Sequence, residues 1–137
     1  MKKESVFLSI CLVEKMLAFR QKLGKFGEKL ACKYLRERGY KIVDQNYRTR
    51  NGEIDIVAEE GKILVFIEVK TRTSRVFGFP EEAIDVRKQY KLAKTAEHYL
   101  MAHRLYDRDY RIDSFGIEID GQNKKARIRH KKDVVGW

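Results

Sequence analysis

Four ionisable residues, Glu53, Asp55, Glu68 and Lys70, stand in the stretch GEIDIVAEEGKILVFIEVKTR (Gly52 to Arg72), which otherwise reads as a buried β-hairpin. A charge inside a protein is costly unless it is paired, hydrogen-bonded or bound to a metal. Two carboxylates with no His or Cys beside them favour a hard, oxygen-seeking cation, and a Mg²⁺ ion that keeps several waters suits such a pair. A lysine aimed at the same place can hold an attacking water or offset negative charge that builds on a phosphate. Asp55, Glu68 and Lys70 are therefore candidates for phosphodiester hydrolysis assisted by Mg²⁺ or Mn²⁺. The triplet EVK alone would equally suit a solvated cross-strand ion pair. What favours a site is Asp55, lying across a hairpin that is apolar elsewhere.

The strands that position these groups follow from alternation. In the first, Glu53 to Ala58, one face carries Glu53, Asp55 and Val57 and the other Ile54, Ile56 and Ala58. In the second, Ile63 to Lys70, one face carries Leu64, Phe66, Glu68 and Lys70 and the other Ile63, Val65, Ile67 and Val69. Treating EEGK as an even-numbered turn sets Ala58 against Ile63, so that Asp55 opposes Phe66 and Glu53 opposes Glu68. Asp55 and Glu68 are then diagonal neighbours with β-carbons roughly 7 Å apart. The opposite, wholly apolar face is expected to be the core.

Upstream, Phe26, Leu30, Ala31, Tyr34 and Leu35 recur at helical spacing, with Gly39 where a C-terminal cap belongs. Glu28 falls at the border of that apolar stripe and can look along the edge of the core. YKIVDQNYRT reads as a strand with a turn. After the loop TRTSRVFGF, Pro80 is expected to open a helix reaching about His103, with Leu92, Ala93, Ala96, Tyr99 and Leu100 as its buried stripe and Gln89 in line with them. YRIDSFGIEI and KARIRH are the closing strands, joined across DGQNKK. This order predicts an α/β or α+β sheet with flanking helices.

The stretch GEIDIVAEEGKILVFIEVKTR, together with GKFGEKLACKYLRERGYKI and NYRT, resembles the signature of the YraN-like family, small proteins akin to archaeal Holliday junction resolvases. The wider group is the PD-(D/E)xK nuclease superfamily, and the similarity spans about Gly24 to Asp113. It implies an α/β, restriction-endonuclease-like architecture of three layers, a central mixed β-sheet flanked by α-helices. It also implies Asp55 and Glu68 as metal ligands, Lys70 as the catalytic lysine, Glu28 as a helical acidic residue sharing the metal, and Gln89 as a group that orients the water or a phosphate. For Gln89, a satisfied polar residue at a helix edge is an equal alternative. Residues 1–18 and the ending RIRHKKDVVGW lie outside the pattern.

A chain of 137 residues with net charge +10 suits one globular domain, here residues 19–137, with a polyanionic partner. Arg48, Arg50, Arg72 and Arg75 flank the hairpin and Lys88 and Lys91 lie on the second helix, a basic rim that would track phosphates of nucleic acid, most naturally DNA. Tyr47 and Phe77 suit core packing better than base stacking. Asp113 is expected to be structural, paired with a neighbouring Arg, and His98, His103 and His130 to lie on the surface. Cys11 and Cys32 form no CxxC or zinc pattern, which fits a reducing, cytoplasmic compartment with no thiolate metal site. Residues 1–18 carry a basic lead and a short apolar run, read as an added helix or strand rather than a signal peptide or a membrane span. The first functional expectation is a metal-dependent endonuclease acting on DNA, branched or otherwise structured, by in-line attack of water. No small-molecule cofactor is expected, and a symmetric dimer would match a two-fold junction. The second is a non-catalytic nucleic-acid-binding protein that retains the fold. A scaffold on an anionic membrane surface is the least favoured.

Overall fold

The chain's one proline is Pro80, so no strong helix breaker stands near its beginning, and helix α1 runs unbroken over Lys2–Glu37. It therefore begins well ahead of the expected start at Phe26 and absorbs most of the segment 1–18. Phe26 is itself 50% exposed, outside the buried stripe assigned to it. The helix ends as expected, with the Gly39 N–H donating to Arg36 O, the Tyr40 N–H to Leu35 O, and Gly39 in the left-handed region. The computed structural model of the chain describes residues 2–73, 85–120, 123 and 125–135.

Strands β1 (Lys41–Thr49), β2 (Gly52–Glu60) and β3 (Ile63–Arg72) form an antiparallel meander, and helix α2 (Val86–Ala102) then leads to β4 (Tyr110–Asp120) and β5 (Lys125–Lys131). The sheet order is β1-β2-β3-β4-β5. β3 and β4 are parallel, the one pairing that needs a long crossover, and α2 lies within it. The result is the expected mixed sheet between helices. Helix α2 starts after Asp85, whose carboxylate accepts from the Lys88 N–H at 2.9 Å as an N-cap. Pro80, assigned the start of this helix, lies outside the described residues, as do Arg75 and Phe77.

The expectation of one apolar face is corrected. Both faces are buried, because a helix covers each. On one side Ala31, Cys32 and Leu35 of α1 pack on Ile56, Ala58, Val65, Ile67, Phe115 and Ile117. On the other, Leu92, Ala96 and Tyr99 of α2 pack on Ile54, Val57, Leu64, Phe66 and Ile112, with Tyr47 against them. Strands covered on both faces read as nearly continuous apolar runs, as ILVFI and IVA do here. Among the described residues no helix is long and apolar enough to cross a membrane.

The hairpin register is also corrected. Ala58 opposes Val65, not Ile63, because the turn is the two residues Gly61 and Lys62 between the pair Glu60 and Ile63. Gly61 has φ 59°, which a tight two-residue turn with glycine first requires. A slip of two residues preserves the faces.

Helix α1 approaches β3 closely at Gly27. A β-carbon there would lie 1.8 Å from Thr71 Oγ1 and 2.9 Å from Thr71 Cβ. Alanine is the better helix former by roughly 1 kcal/mol, but the overlap with a side chain rooted in β3 outweighs it. Gly27→Ala is expected to lower stability by about 1–3 kcal/mol in urea titrations. Adding Thr71→Ala should recover part of that loss, whereas equal stability of Gly27→Ala and wild type would contradict the contact.

Candidate functional site

The ladder between β2 and β3 runs from Glu60 and Ile63 only as far as Ile56 and Ile67. Asp55 and Glu68 are the next residues along each strand, just beyond the paired stretch. Strict alternation fails at this point. Ile54 joins the core on the α2 side while Ile56 joins that on the α1 side. In β1, Asn46 lies between residues paired to Ile56 and Ile54 and has φ 56°, a left-handed conformation that Asn tolerates. Where the ladder stops, the side chain of Asp55 replaces a backbone acceptor: its Oδ2 accepts from the Val69 N–H at 2.7 Å.

This interruption opens a cleft of about 320 Å³. Glu53, Asp55, Glu68 and Lys70 all line it, although the expected face Ile54, Ile56 and Ala58 is split between the two cores, so simple alternation is not what brings them together. Lys88, Lys91 and Leu92 of α2 form the facing wall, beside Asn51 and Gly52 at the start of β2. Glu68 is only 6% exposed, and its Oε1 meets two ammonium groups, Lys88 Nζ at 2.8 Å and Lys70 Nζ at 3.5 Å.

Electrostatics follow this crowding. Burial, then the charge of Glu68, pushes the Asp55 carboxyl up to about 8, with the Val69 N–H pulling the other way and Glu28 and Glu53 adding to the rise. Burial, and then contact with Lys88, draws Lys70 below the ordinary lysine value, against the pull of Glu68. Burial also works against the charge of Lys88, but its contacts with Glu68 and Lys70 outweigh that and raise it. Glu28 is raised by burial and by Glu53, while a hydrogen bond with Asn46 lowers it.

The donor set suits a hard cation. Two carboxylates line a largely buried place, where both ammonium groups sit at Glu68 and burial holds the Asp55 carboxyl above the usual carboxylate range. Among the described residues no group of three or more His, Cys, Asp and Glu side chains is arranged to hold a metal alone. A cation at Asp55 and Glu68 would thus take most of its ligands from water or substrate, as Mg²⁺ commonly does.

Other residues selected from the sequence fall at varied distances from this cleft. Glu28 stays at its border, on α1, within electrostatic reach of Glu53 and Glu68 but not in the lining. Gln89 is half-buried on α2 and does not line the cleft. Arg48 pairs with Glu53 at 3.4 Å, Arg50 is exposed, and Arg72 is half-buried with a buried Nε that lacks a hydrogen-bond partner among the described residues. Lys91 keeps its expected exposure, whereas Lys88 leaves the rim and enters the site. Its role had one signal in the sequence. A lysine in a helix's first turn opposes the helix dipole, so it needs an anionic partner elsewhere.

A family model described as an uncharacterised protein family, UPF0102, matches residues 27–120. The chain belongs to this family. It is 42% identical over 114 residues to a UPF0102 protein of Alkaliphilus oremlandii, covering 83% of this chain and 97% of that one. The UPF0102 protein of Caldicellulosiruptor bescii is 45% identical over 115 residues, 83% of this chain and 97% of its own. That of Carboxydothermus hydrogenoformans is 46% identical over 118 residues, 86% of this chain and 98% of its own. The UPF0102 match begins at Gly27, where α1 lies close against Thr71 of β3, and includes Glu28 and every residue that lines the cleft.

Proposed function

We propose that this UPF0102 protein is a metal-dependent endonuclease that hydrolyses phosphodiester bonds in DNA, with branched or structured DNA as the preferred substrate. The observation that carries the reading is the convergence of Asp55, Glu68, Lys70 and Lys88 on one cleft of a strongly basic chain. A resemblance to archaeal Holliday junction resolvases and the PD-(D/E)xK superfamily supports the substrate class and a symmetric dimer, which would match the two-fold symmetry of a junction.

Asp55 and Glu68 would hold Mg²⁺ or Mn²⁺, and such an ion supplies Lewis acidity toward the phosphate and the attacking water. Asp55 is fixed for this by its bond to Val69, a backbone anchor that limits its rotamers. Lys70, partly desolvated and drawn below its usual pKa, would orient water or stabilise charge on the phosphate oxygens. Arg50 and Lys91, both exposed, would contact the flanking phosphates of a bound duplex.

The test is incubation with plasmid, linear duplex and four-way junction DNA in Mg²⁺, Mn²⁺ or EDTA, beside Asp55→Ala. Cleavage is expected with either metal, none in EDTA, and a loss of at least about a thousandfold in the variant. Cleavage that ignores Asp55 or persists in EDTA contradicts the proposal. DNA binding without any cleavage, unchanged in Asp55→Ala, would make the protein a non-catalytic nucleic-acid-binding relative instead.

A further inference from the structure

Lys88 is held where a divalent cation would have to reach. Its Nζ lies 2.8 Å from Glu68 Oε1, closer than Lys70 at 3.5 Å, so the near-buried carboxylate is served by two ammonium groups at a single oxygen. Leaving Glu68 unpaired at 6% exposure would be costly, which explains why an internal cation is retained. The backbone of Lys88 is anchored by the Asp85 cap, but its side chain is 31% exposed and reaches Glu68 through four flexible methylenes. One turn along α2, Lys91 lines the same cleft nearer solvent.

We propose that Lys88 is an exchangeable counter-ion: it neutralises Glu68 until a divalent cation takes that place, and then turns to the substrate phosphate beside Lys91. The exchange keeps Glu68 paired throughout and delivers an ammonium to the phosphate only when the metal is present. It couples metal loading to tight DNA binding. The inference rests on the nuclease reading and adds to it a defined order of events.

Two measurements test it, the first with metal alone. In calorimetric titration with MnCl₂, Lys88→Met is expected to bind on the order of tenfold more tightly than wild type, because the nearer of the two ammonium groups no longer has to be displaced from Glu68. Lys91→Met, which removes the same charge from the same cleft without touching Glu68, should change affinity by less than about twofold. Lys88→Arg keeps the charge and the pairing and should bind Mn²⁺ no more tightly than wild type. The second is anisotropy with a short labelled duplex, in EDTA and in Ca²⁺. Lys88→Met should weaken binding about tenfold in Ca²⁺ and less than about twofold in EDTA, where Lys88 is engaged with Glu68. Equal losses in the two buffers, or unchanged Mn²⁺ affinity in a folded Lys88→Met, would make Lys88 an ordinary surface cation and overturn the exchange alone. Absence of Mn²⁺ binding in wild type would overturn the exchange and the nuclease reading together.

Discussion

Replacing Asp113 by Ala is expected to lower stability by about 3–5 kcal/mol, the usual cost of leaving one side of a buried ion pair without its partner. For a domain of this size that corresponds to roughly 10–20 °C in Tm. Asp113 is fully buried at the start of β4 and accepts from Arg111 Nε at 3.0 Å, His130 Nε2 at 2.7 Å and the Asp133 N–H at 2.9 Å. Arg111 also reaches Glu60 at 3.0 Å and the Tyr40 hydroxyl at 2.9 Å, so one carboxylate ties β2, β4, β5, the end of α1 and the C-terminal segment together. Burial alone would raise the Asp113 carboxyl, but the bonds from His130, Arg111 and Asp133 outweigh it and hold the pKa below the usual carboxylate range. A group depressed in the folded state contributes stability above its unfolded value and loses it as pH falls through the folded one. The gap between wild type and Asp113→Ala should therefore be wide and flat from neutral pH to about pH 5 and narrow below about pH 4. Thermal melts across that range check both size and shape, and a gap that widened with acid would refute the assignment.

That cluster also marks how far the sequence could be read. Asp113 paired with an arginine two residues away was legible because i and i+2 share one face of a strand. His130 was read as a surface residue, yet its side chain is 8% exposed and bonded to Asp113. The two meet only because β4 and β5 pair with Ser114 against Lys131, a register that depends on a turn whose geometry no local pattern dictates. The same limit explains the hairpin. Period-two alternation along β3 put Glu68 and Lys70 on one face whatever the register, since an error of two residues leaves faces unchanged. It could not reveal the break at Asp55, where Asn46 is left-handed and the β2–β3 ladder ends. Lys88 was harder still. Its meeting with Glu68 joins a helix to a strand across the layer packing, and that distance is written in no segment by itself.

Asp55→Asn is expected to abolish cleavage and yet make the metal-free protein more stable. The carboxyl of Asp55 is pushed up to about 8 by burial first and by Glu68 second. A raised folded pKa gives stability that is complete below the unfolded value, near 4, and is lost as pH rises toward the folded one. In EDTA the wild type should therefore lose stability between about pH 5 and pH 8, as folding must hold an ionised Asp55 beside Glu68. Asparagine cannot ionise. Its carbonyl can still accept from the Val69 N–H, and its amide can donate to Glu68 where a second carboxylate would repel it. The variant should lack this pH slope and stand about 1–3 kcal/mol above wild type at pH 8, several degrees in Tm. Saturating Mg²⁺ or Mn²⁺ reverses the order, because a ligand that binds only the folded state stabilises wild type through Asp55 and gives little to the variant. Melting both proteins at pH 5.5 and 8, with EDTA and with Mn²⁺, gives a direct comparison. A variant less stable than wild type in EDTA at pH 8, or one stabilised equally by Mn²⁺, would mean that Asp55 serves the fold and not a cation. The opposite pattern is what a site kept at the expense of stability looks like, because the charge that destabilises the empty protein is the one that binds the metal.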